Sequence, residues 1–315
     1  MAIDERGDRR FELVTPTPLT AGAPQVRDSN PAVSPDGRWL VFASTRDRTS
    51  DGTSLWIAPL AVEAVPRRLT EGAAIDAQPA WSPDGRWVVF ASTRSGGEFD
   101  LWRFAIDAAG NPGEPIQLTN TPGHEVTPTV APDGAIAYAS VRLAAAGSRE
   151  IVSRLEERAP DGTIRQLTAG PGDSSPAFSP DGSTIAFARP ALHNGAPDAE
   201  LWRMARGTAI ATQLVDLPLT DESGPVWSRD GRFVFATSVL RGADGNVVFS
   251  SVVHVDLRDH PARARMLGDH AGPVARLTPA VPSRQLDVAA LRGDPEYLPE
   301  LARIMAARIA EQMHP

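Results

Sequence analysis

The chain has 315 residues, of which 42% are apolar and 22% charged, and its formal net charge is −8. This composition is typical of a globular protein with a large core and excludes a disordered or collagen-like polymer. The chain has no cysteine, which excludes disulfides, thiol nucleophiles and cysteine-based metal clusters. All 31 basic residues are arginine, which excludes Schiff-base catalysis by lysine, and the acidic balance argues against a nucleic-acid-binding surface.

The sequence is compatible with more than one cellular compartment. No stretch approaches the roughly 18 consecutive apolar residues that a membrane span requires. The segment 1–10, MAIDERGDRR, contains no apolar core of a secretory signal. We expect either a cytoplasmic protein or, if a signal has been removed, a periplasmic or envelope-associated one, and in both cases a monomer.

A repeat dominates the sequence. The segment 30–46, NPAVSPDGRWLVFASTR, recurs at 78–94 with three changes, and weaker copies occupy 127–142, 175–190 and 224–238. The aspartates of the repeated turn are spaced 48, 49, 48 and 49 residues apart; they are Asp36, Asp84, Asp133, Asp181 and Asp230. Each unit holds a short first strand, an Asp-Gly turn that proline precedes in the first four units, an apolar second strand, a third strand and a fourth strand. Four antiparallel strands per unit predict the blade of a β-propeller.

In chain order, the pattern predicts one all-β domain over 1–315, a six-bladed propeller of four-stranded antiparallel blades with a short carboxyl-terminal helix. The predicted boundaries are 1–20 for the closing outer strand of the last blade, 21–70, 71–119, 120–168, 169–215 and 216–267 for blades 1 to 5, 268–292 for a degenerate blade 6, and 293–315 for the helix. Blade 6 is inferred because 279–291 follows the repeat with a shortened turn. Sharing this blade between the termini would leave no open sheet edge. The helix is inferred from an apolar stripe after Pro299.

The SPDGRW, FASTR, DLW and QLT motifs resemble the repeat of the TolB-type propeller family over nearly the whole chain. The resemblance implies the WD-repeat-like propeller fold. It also implies peptide binding, in some members with Ca²⁺, at one mouth of the central channel. Related propellers precede a hydrolase domain in oligopeptidases, but this sequence contains no G-x-S-x-G motif.

An acidic residue stands three or four positions before the proline of each first strand; these residues are Asp28, Asp76, Glu125, Asp173 and Asp221. Repeat-equivalent positions form a ring in a propeller, so the sequence predicts that five carboxylates converge at one mouth. The sixth position is Arg276 in the preferred alignment and Asp269 in the other. Arg46, Arg94, Arg142 and Arg189 end second strands, which places them near the same mouth in antiparallel sheets.

Two interpretations of this ring stay open. In the first, arginine–carboxylate pairs only staple adjacent strands. In the second, the ring binds a ligand through Asp28, Asp76, Glu125, Asp173 and Asp221, with Arg46, Arg94 and Arg276 beside them. The ligand would be a basic peptide or protein segment, with Ca²⁺ held by Asp28, Asp76, Glu125 and Asp173.

We therefore expect a protein-binding scaffold rather than an enzyme. The alternative is a metal-dependent hydrolase or lactonase that holds a cation with the same carboxylates and His124 or His270. A third interpretation is a structural module of a larger envelope protein. The seven tryptophans occupy repeated strand positions, which predicts packing between blades. Insertions at 142–149 and 190–199 interrupt the repeat and are candidate ligand contacts.

Overall fold

The computed structural model describes residues 2–3, 9–10, 26–46, 52–61, 64–145, 148–170, 172–193, 196–215, 220–241, 247–258 and 264–266. The chain divides into two compact units, Met1–His270 and Ala271–Pro315. All described residues belong to the first unit. No helix that could cross a membrane occurs in these ranges.

Five four-stranded antiparallel sheets follow one another along the chain, and in each the strands pair in sequence order. Blade 1 consists of Asp28–Val33, Trp39–Ser44, Ser54–Pro59 and Arg67–Arg68. Blade 2 consists of Asp76–Trp81, Trp87–Ser92, Asp100–Ala105 and Ile116–Gln117. Blade 3 consists of His124–Val130, Ile136–Leu143, Ile151–Arg158 and Ile164–Gln166. Blade 4 consists of Ser174–Phe178, Thr184–His193, Ala196–Ala205 and Ala211–Val215. Blade 5 consists of Thr220–Trp227, Phe233–Arg241, Val247–Asp256 and Ala264–Met266.

The prediction of six blades and a carboxyl-terminal helix is wrong. The described residues form five blades and contain no helix. The five blades are the five copies that carry the Asp-Gly turn, whereas the sixth was inferred from 279–291, which lacks that turn. The segments 11–20, 268–292 and 293–315 lie outside the described residues. Near the amino terminus, Ala2–Ile3 pairs with Arg9–Arg10 as a separate two-stranded sheet.

The repeated turn is stabilised by its own side chains. In blade 2 the hydroxyl of Ser82 donates to Asp84 at 2.6 Å, and Gly85 has a φ of 71°, which an L-residue rarely adopts. The same serine–aspartate bond in blade 1 holds the pKa of Asp36 down to about 2. Each turn therefore fixes the register of the first two strands, which positions the opposite end of the blade.

Packing between neighbouring blades forms the core. Fully buried side chains of the second strands, such as Val41 and Phe90, occupy one cluster between blades 1 and 2. Six of the seven tryptophans belong to such interblade clusters or pack against them, as predicted, whereas the described cluster around Trp56 contains residues of blade 1 alone. Trp81 also donates its indole N–H to the carbonyl oxygen of Ala32 in the preceding blade at 3.0 Å.

A contact joins the last described blade to the first. Arg229, in the turn of blade 5, donates from Nη2 to the carbonyl oxygen of Pro35 in the turn of blade 1 at 2.7 Å. These residues are 194 positions apart in the chain. Five blades thus bring the two ends of the repeat array within hydrogen-bonding distance.

Candidate binding site at the propeller mouth

Repeat-equivalent carboxyl groups lie at one end of the blades, which we call the mouth. It is the end at which the first strands begin and the second strands end. In four blades the carboxyl residue is paired with a serine of the second strand; the pairs are Asp28–Ser44, Asp76–Ser92, Glu125–Ser140 and Glu222–Ser238. In blade 4, Asp173 directly precedes the first strand and contacts Arg189.

The aspartates of blades 1, 2 and 4 are each neutralised by an arginine of the same blade. The nitrogen–oxygen distances are 2.6 Å for Arg46–Asp28, 2.9 Å for Arg94–Asp76 and 2.7 Å for Arg189–Asp173. Asp76 and Asp173 are buried, so their charges depend on these partners. At three positions, therefore, the structure contains the arginine–carboxylate pair of the first interpretation.

Aromatic rings hold two of these arginines in place. In blade 2, the guanidinium of Arg94 lies 5.2 Å from the ring centre of Phe90 and 5.3 Å from that of Trp102. In blade 4, Arg189 lies 4.7 Å from the ring centre of Trp202. Each arginine thus gains a cation–π contact in addition to its carboxylate.

Blade 3 departs from this arrangement because Glu156 stands where blades 1, 2 and 4 have a tryptophan. Glu156 is paired with Tyr138, as Trp102 is paired with Phe90 in blade 2. Arg142 donates to Glu156 at 3.0 Å instead of stacking on an indole. The mouth carboxyl of this blade, Glu125, is consequently left without an arginine partner among the described residues.

Blade 5 lacks the arginine itself. Leu240 stands two residues after Ser238, where blades 1 to 3 have an arginine two residues after the corresponding serine. Glu222 instead accepts hydrogen bonds from the hydroxyls of Thr220 at 2.6 Å and Ser238 at 3.0 Å. Asp221, the residue predicted for this blade, lies one position earlier opposite Val239. The repeat position in blade 5 is therefore occupied by Glu222.

Both glutamates are fully enclosed, with an exposed fraction of 0%. Burial raises the pKa of Glu125 to about 7, opposed by the hydrogen bond from Thr121 and assisted by the charge of Asp100. Burial raises the pKa of Glu222 to about 8 in the same way, opposed by Thr220 and Ser238 and assisted by Asp198 and Asp221. Within the described ranges, Oε2 of each glutamate has no hydrogen-bond partner.

A bulge interrupts the first strand of every blade just inside the mouth. The bulged residues have φ values between 49° and 60°; they are Asn30, Gln78, Thr127, Ser175 and Gly224. Positive φ is strained for a β-branched residue such as Thr127. The backbone N–H of Thr127 donates to Oε1 of Gln78 in the preceding blade at 2.9 Å, so the bulges also connect neighbouring blades.

Blades 3, 4 and 5 extend further at the mouth than blades 1 and 2. Their second strands contain 8, 10 and 9 residues, compared with 6 in each of the first two blades. The insertions noted in the sequence lengthen these hairpins in blades 3 and 4. At the tip in blade 3, the paired residues Leu143 and Ile151 are exposed.

Several predicted site residues lie outside this description. Arg276, Asp269 and His270 belong to the undescribed part of the chain. His124 is exposed, and its Nδ1 accepts a hydrogen bond from the backbone of Phe99 at 3.1 Å. The described residues contain no group of three His, Asp or Glu side chains that could hold a metal ion. The Ca²⁺ site therefore remains a prediction, without a ligand set in this part of the chain.

Two features of the site were not predicted from the sequence: Glu222 as the mouth carboxyl of blade 5, and Glu156 as the partner of Arg142. In blades 1 to 4 the mouth carboxyl stands three residues before the proline of the first strand. In blade 5 that position is Glu222, whereas the predicted Asp221 stands four residues before Pro225. Two sequence signals indicate these features: the tryptophan of the DLW motif is absent from the third strand of blade 3, and in blade 5 leucine instead of arginine stands two residues after the serine.

The chain was compared with known proteins. A family model described as "TolB beta propeller domain" matches residues 18–228. A comparison with curated protein sequences found no match.

Solved structures share the fold. A putative TolB from Agrobacterium tumefaciens is 22% identical with a TM-score of 0.59, and the match covers 76% of this chain and 80% of that one. TolB from Acinetobacter baumannii is 19% identical with a TM-score of 0.54, covering 76% of this chain but only 54% of that one. An oligogalacturonate lyase in complex with manganese is 18% identical with a TM-score of 0.50, covering 74% and 63%. These identities show a common fold and do not assign an activity. The family model spans well over half of the chain and agrees with the observed blades, so this chain belongs to the TolB beta-propeller domain family.

Proposed function

We propose that this propeller is a binding scaffold whose mouth receives a basic peptide or protein segment. The observation that carries the proposal is that the five mouth carboxyls differ in their arginine partners. Three have an arginine of their own blade, whereas Glu125 and Glu222 have none among the described residues and each keeps an oxygen without a partner. A buried polar atom without a partner costs free energy, so its retention indicates a role other than stability.

The surroundings of the mouth support an acidic recognition surface. Asp28, Glu98 and Glu150 are exposed there, and the half-buried Asp221 lies beside Glu222. Acidic side chains around a concave opening attract cationic ligands and increase their rate of association. In this proposal Arg46 and Arg94 hold Asp28 and Asp76 in fixed orientations.

The longer hairpins of blades 3 to 5 support a protein ligand. They flank Glu125 and Glu222, which have no arginine partner within the described ranges, so side-chain chemistry and loop length indicate the same sector of the mouth. Exposed Leu143 and Ile151 add apolar surface to the acidic groups. A peptide with both basic and apolar residues matches this combination.

The test is the binding of a fluorescent hexalysine peptide, followed by anisotropy at low and high salt. We expect binding that weakens as salt screens the charges. A hexaglutamate peptide should not bind. Asp28→Asn and Glu125→Gln should each reduce the affinity for hexalysine severalfold, because each removes a carboxylate acceptor from the mouth.

Glu114→Gln is the matched control. Glu114 is exposed on the loop between the third and fourth strands of blade 2, at the opposite end of the propeller, and its loss should leave binding unchanged. Equal binding of the two peptides, or equal losses in the mouth and control variants, would refute recognition at the mouth.

A further inference from the structure

Glu125 and Glu222 differ from the other mouth carboxyls in being enclosed without a counter-ion among the described residues. We propose that these two glutamates are proton-exchanging acceptors, neutral in the free protein, which lose their protons when a cationic side chain binds at the mouth. This inference rests on the proposed function and specifies its chemistry. Binding would then be linked to proton release and would strengthen as pH rises.

The groups around Glu125 favour its neutral form. Asp100, from the third strand of blade 2, is buried and brings a second carboxyl next to it. Arg142, from the second strand of blade 3, is bonded to Glu156, and its positive charge only partly offsets the burial of Glu125. The nearby Asp76–Arg94 pair of blade 2 is internally neutral.

The groups around Glu222 act in the same direction. Asp198, from the third strand of blade 4, and the adjacent Asp221 both add negative charge. The Asp173–Arg189 pair of blade 4 is internally neutral, and the hydroxyls of Thr220 and Ser238 donate to Glu222 without adding charge. The pKa values of about 7 for Glu125 and about 8 for Glu222 agree with this geometry.

A cation at the mouth does not need to touch the glutamates to ionise them. His124, next to Glu125 in the chain, and Ser223, next to Glu222, are exposed, so the backbone at both glutamates borders the surface of the mouth. In a poorly solvated site a positive charge acts over several ångströms and lowers the pKa of a nearby acid. The carboxyl O–H bond then breaks, the proton passes to the solvent, and the carboxylate remains as the counter-ion of the ligand.

The difference between the blades supports a selected role for Glu125 and Glu222. Glu156 in place of tryptophan diverts Arg142, and Leu240 stands where blades 1 to 3 have the arginine, so Glu222 has no arginine partner among the residues that the structure describes. Two unrelated sequence differences thus produce the same result on the two sides of blade 4, a buried glutamate without an arginine partner in the described part of the chain.

The experiment is titration calorimetry of the whole chain with hexalysine at pH 6.5, in PIPES and in imidazole, which differ in ionisation enthalpy. The difference in apparent binding enthalpy gives the number of protons released. We expect a release approaching about two protons, and an affinity that rises up to roughly tenfold per pH unit for each proton released. The Glu125→Gln/Glu222→Gln double variant should bind more weakly, with no proton release and no pH slope.

Leu240→Arg is a second variant that does not depend on removing a buried group. It places an arginine where blades 1 to 3 have one, which should pair with Glu222 as Arg94 pairs with Asp76. Proton release should fall by about one proton, because only Glu125 still exchanges.

The outcomes separate the two proposals. If the wild-type protein binds no hexalysine at any pH, the proposed function fails and this inference fails with it. If it binds without proton release, or if release persists in the double variant, the inference is overturned while recognition at the mouth stands. Proton release that is lost in the double variant and reduced in Leu240→Arg supports it.

Discussion

Glu222→Gln should change how the stability of the protein depends on pH. The pKa of Glu222 is raised from 4.5 to about 8 in the folded protein, so the folded state holds the proton more tightly than the unfolded state. This stabilisation is complete below pH 4.5 and is lost progressively as pH rises towards 8. Glutamine cannot ionise, so the variant does not incur this loss.

The magnitude follows from the linkage between proton binding and folding. One pKa unit corresponds to about 1.4 kcal/mol, so between pH 5 and pH 8 the wild-type protein should lose roughly 3 kcal/mol relative to the variant. At pH 5 the variant should be slightly less stable, because its amide N–H₂ replaces an oxygen that already lacks a partner. The two stability curves should therefore cross as pH rises.

Urea denaturation followed by tryptophan fluorescence at pH 5, 6, 7, 8 and 9 measures this difference. Glu114→Gln, an exposed change of the same type at the opposite end, controls for the loss of one charge. Parallel curves for the wild-type protein and Glu222→Gln would refute the assignment of Glu222 as a buried neutral acid. If the stability curve of Glu114→Gln also crosses that of the wild-type protein, the effect is due to net charge instead.

Three further substitutions test the architecture. Arg189→Leu leaves the buried Asp173 without its ion pair and should reduce the free energy of unfolding by about 3–5 kcal/mol in urea denaturation at pH 7; a loss below 1 kcal/mol would show that the pair is not desolvated. Trp81→Phe removes the indole hydrogen bond to Ala32 between blades and should cost about 1 kcal/mol, which double-mutant analysis with a second interblade contact can separate from lost packing. Thr127→Asn should raise stability by about 1 kcal/mol because asparagine tolerates the φ of 50° better than a β-branched residue, and a lower melting temperature would contradict the strain.

Most of the strand pattern was predictable from the repeat. The alternation of a Pro-Asp-Gly turn with short apolar strands determines each hairpin locally, because the turn residues select the backbone conformation and the apolar residues select the buried faces. The segment 279–291 lacks that turn, so its resemblance to the repeat was too weak to support a sixth blade.

The site was predictable in position but not in chemistry. Counting within the repeat located Asp28, Asp76, Glu125 and Asp173 at the mouth, and antiparallel pairing placed arginines beside three of them. It did not identify Glu222, because Asp221, four residues before Pro225, was assigned to this position although the other mouth carboxyls stand three residues before the proline. It also could not show that Arg142 binds Glu156 and not Glu125.

The sequence by itself determined the four-stranded unit, its turns, its buried strands and the end at which carboxyl groups gather, because these depend on contacts within about fifty residues. Tertiary structure decided how many described units assemble and which carboxyls are neutralised. Whether a mouth carboxyl is neutralised depends on the third strand of its own blade and on the carboxyls of the preceding blade. For Glu125 these are Glu156, which binds Arg142, and Asp100, which adds negative charge. A charge in a protein interior responds to all its neighbours in space, and only folding brings those neighbours together.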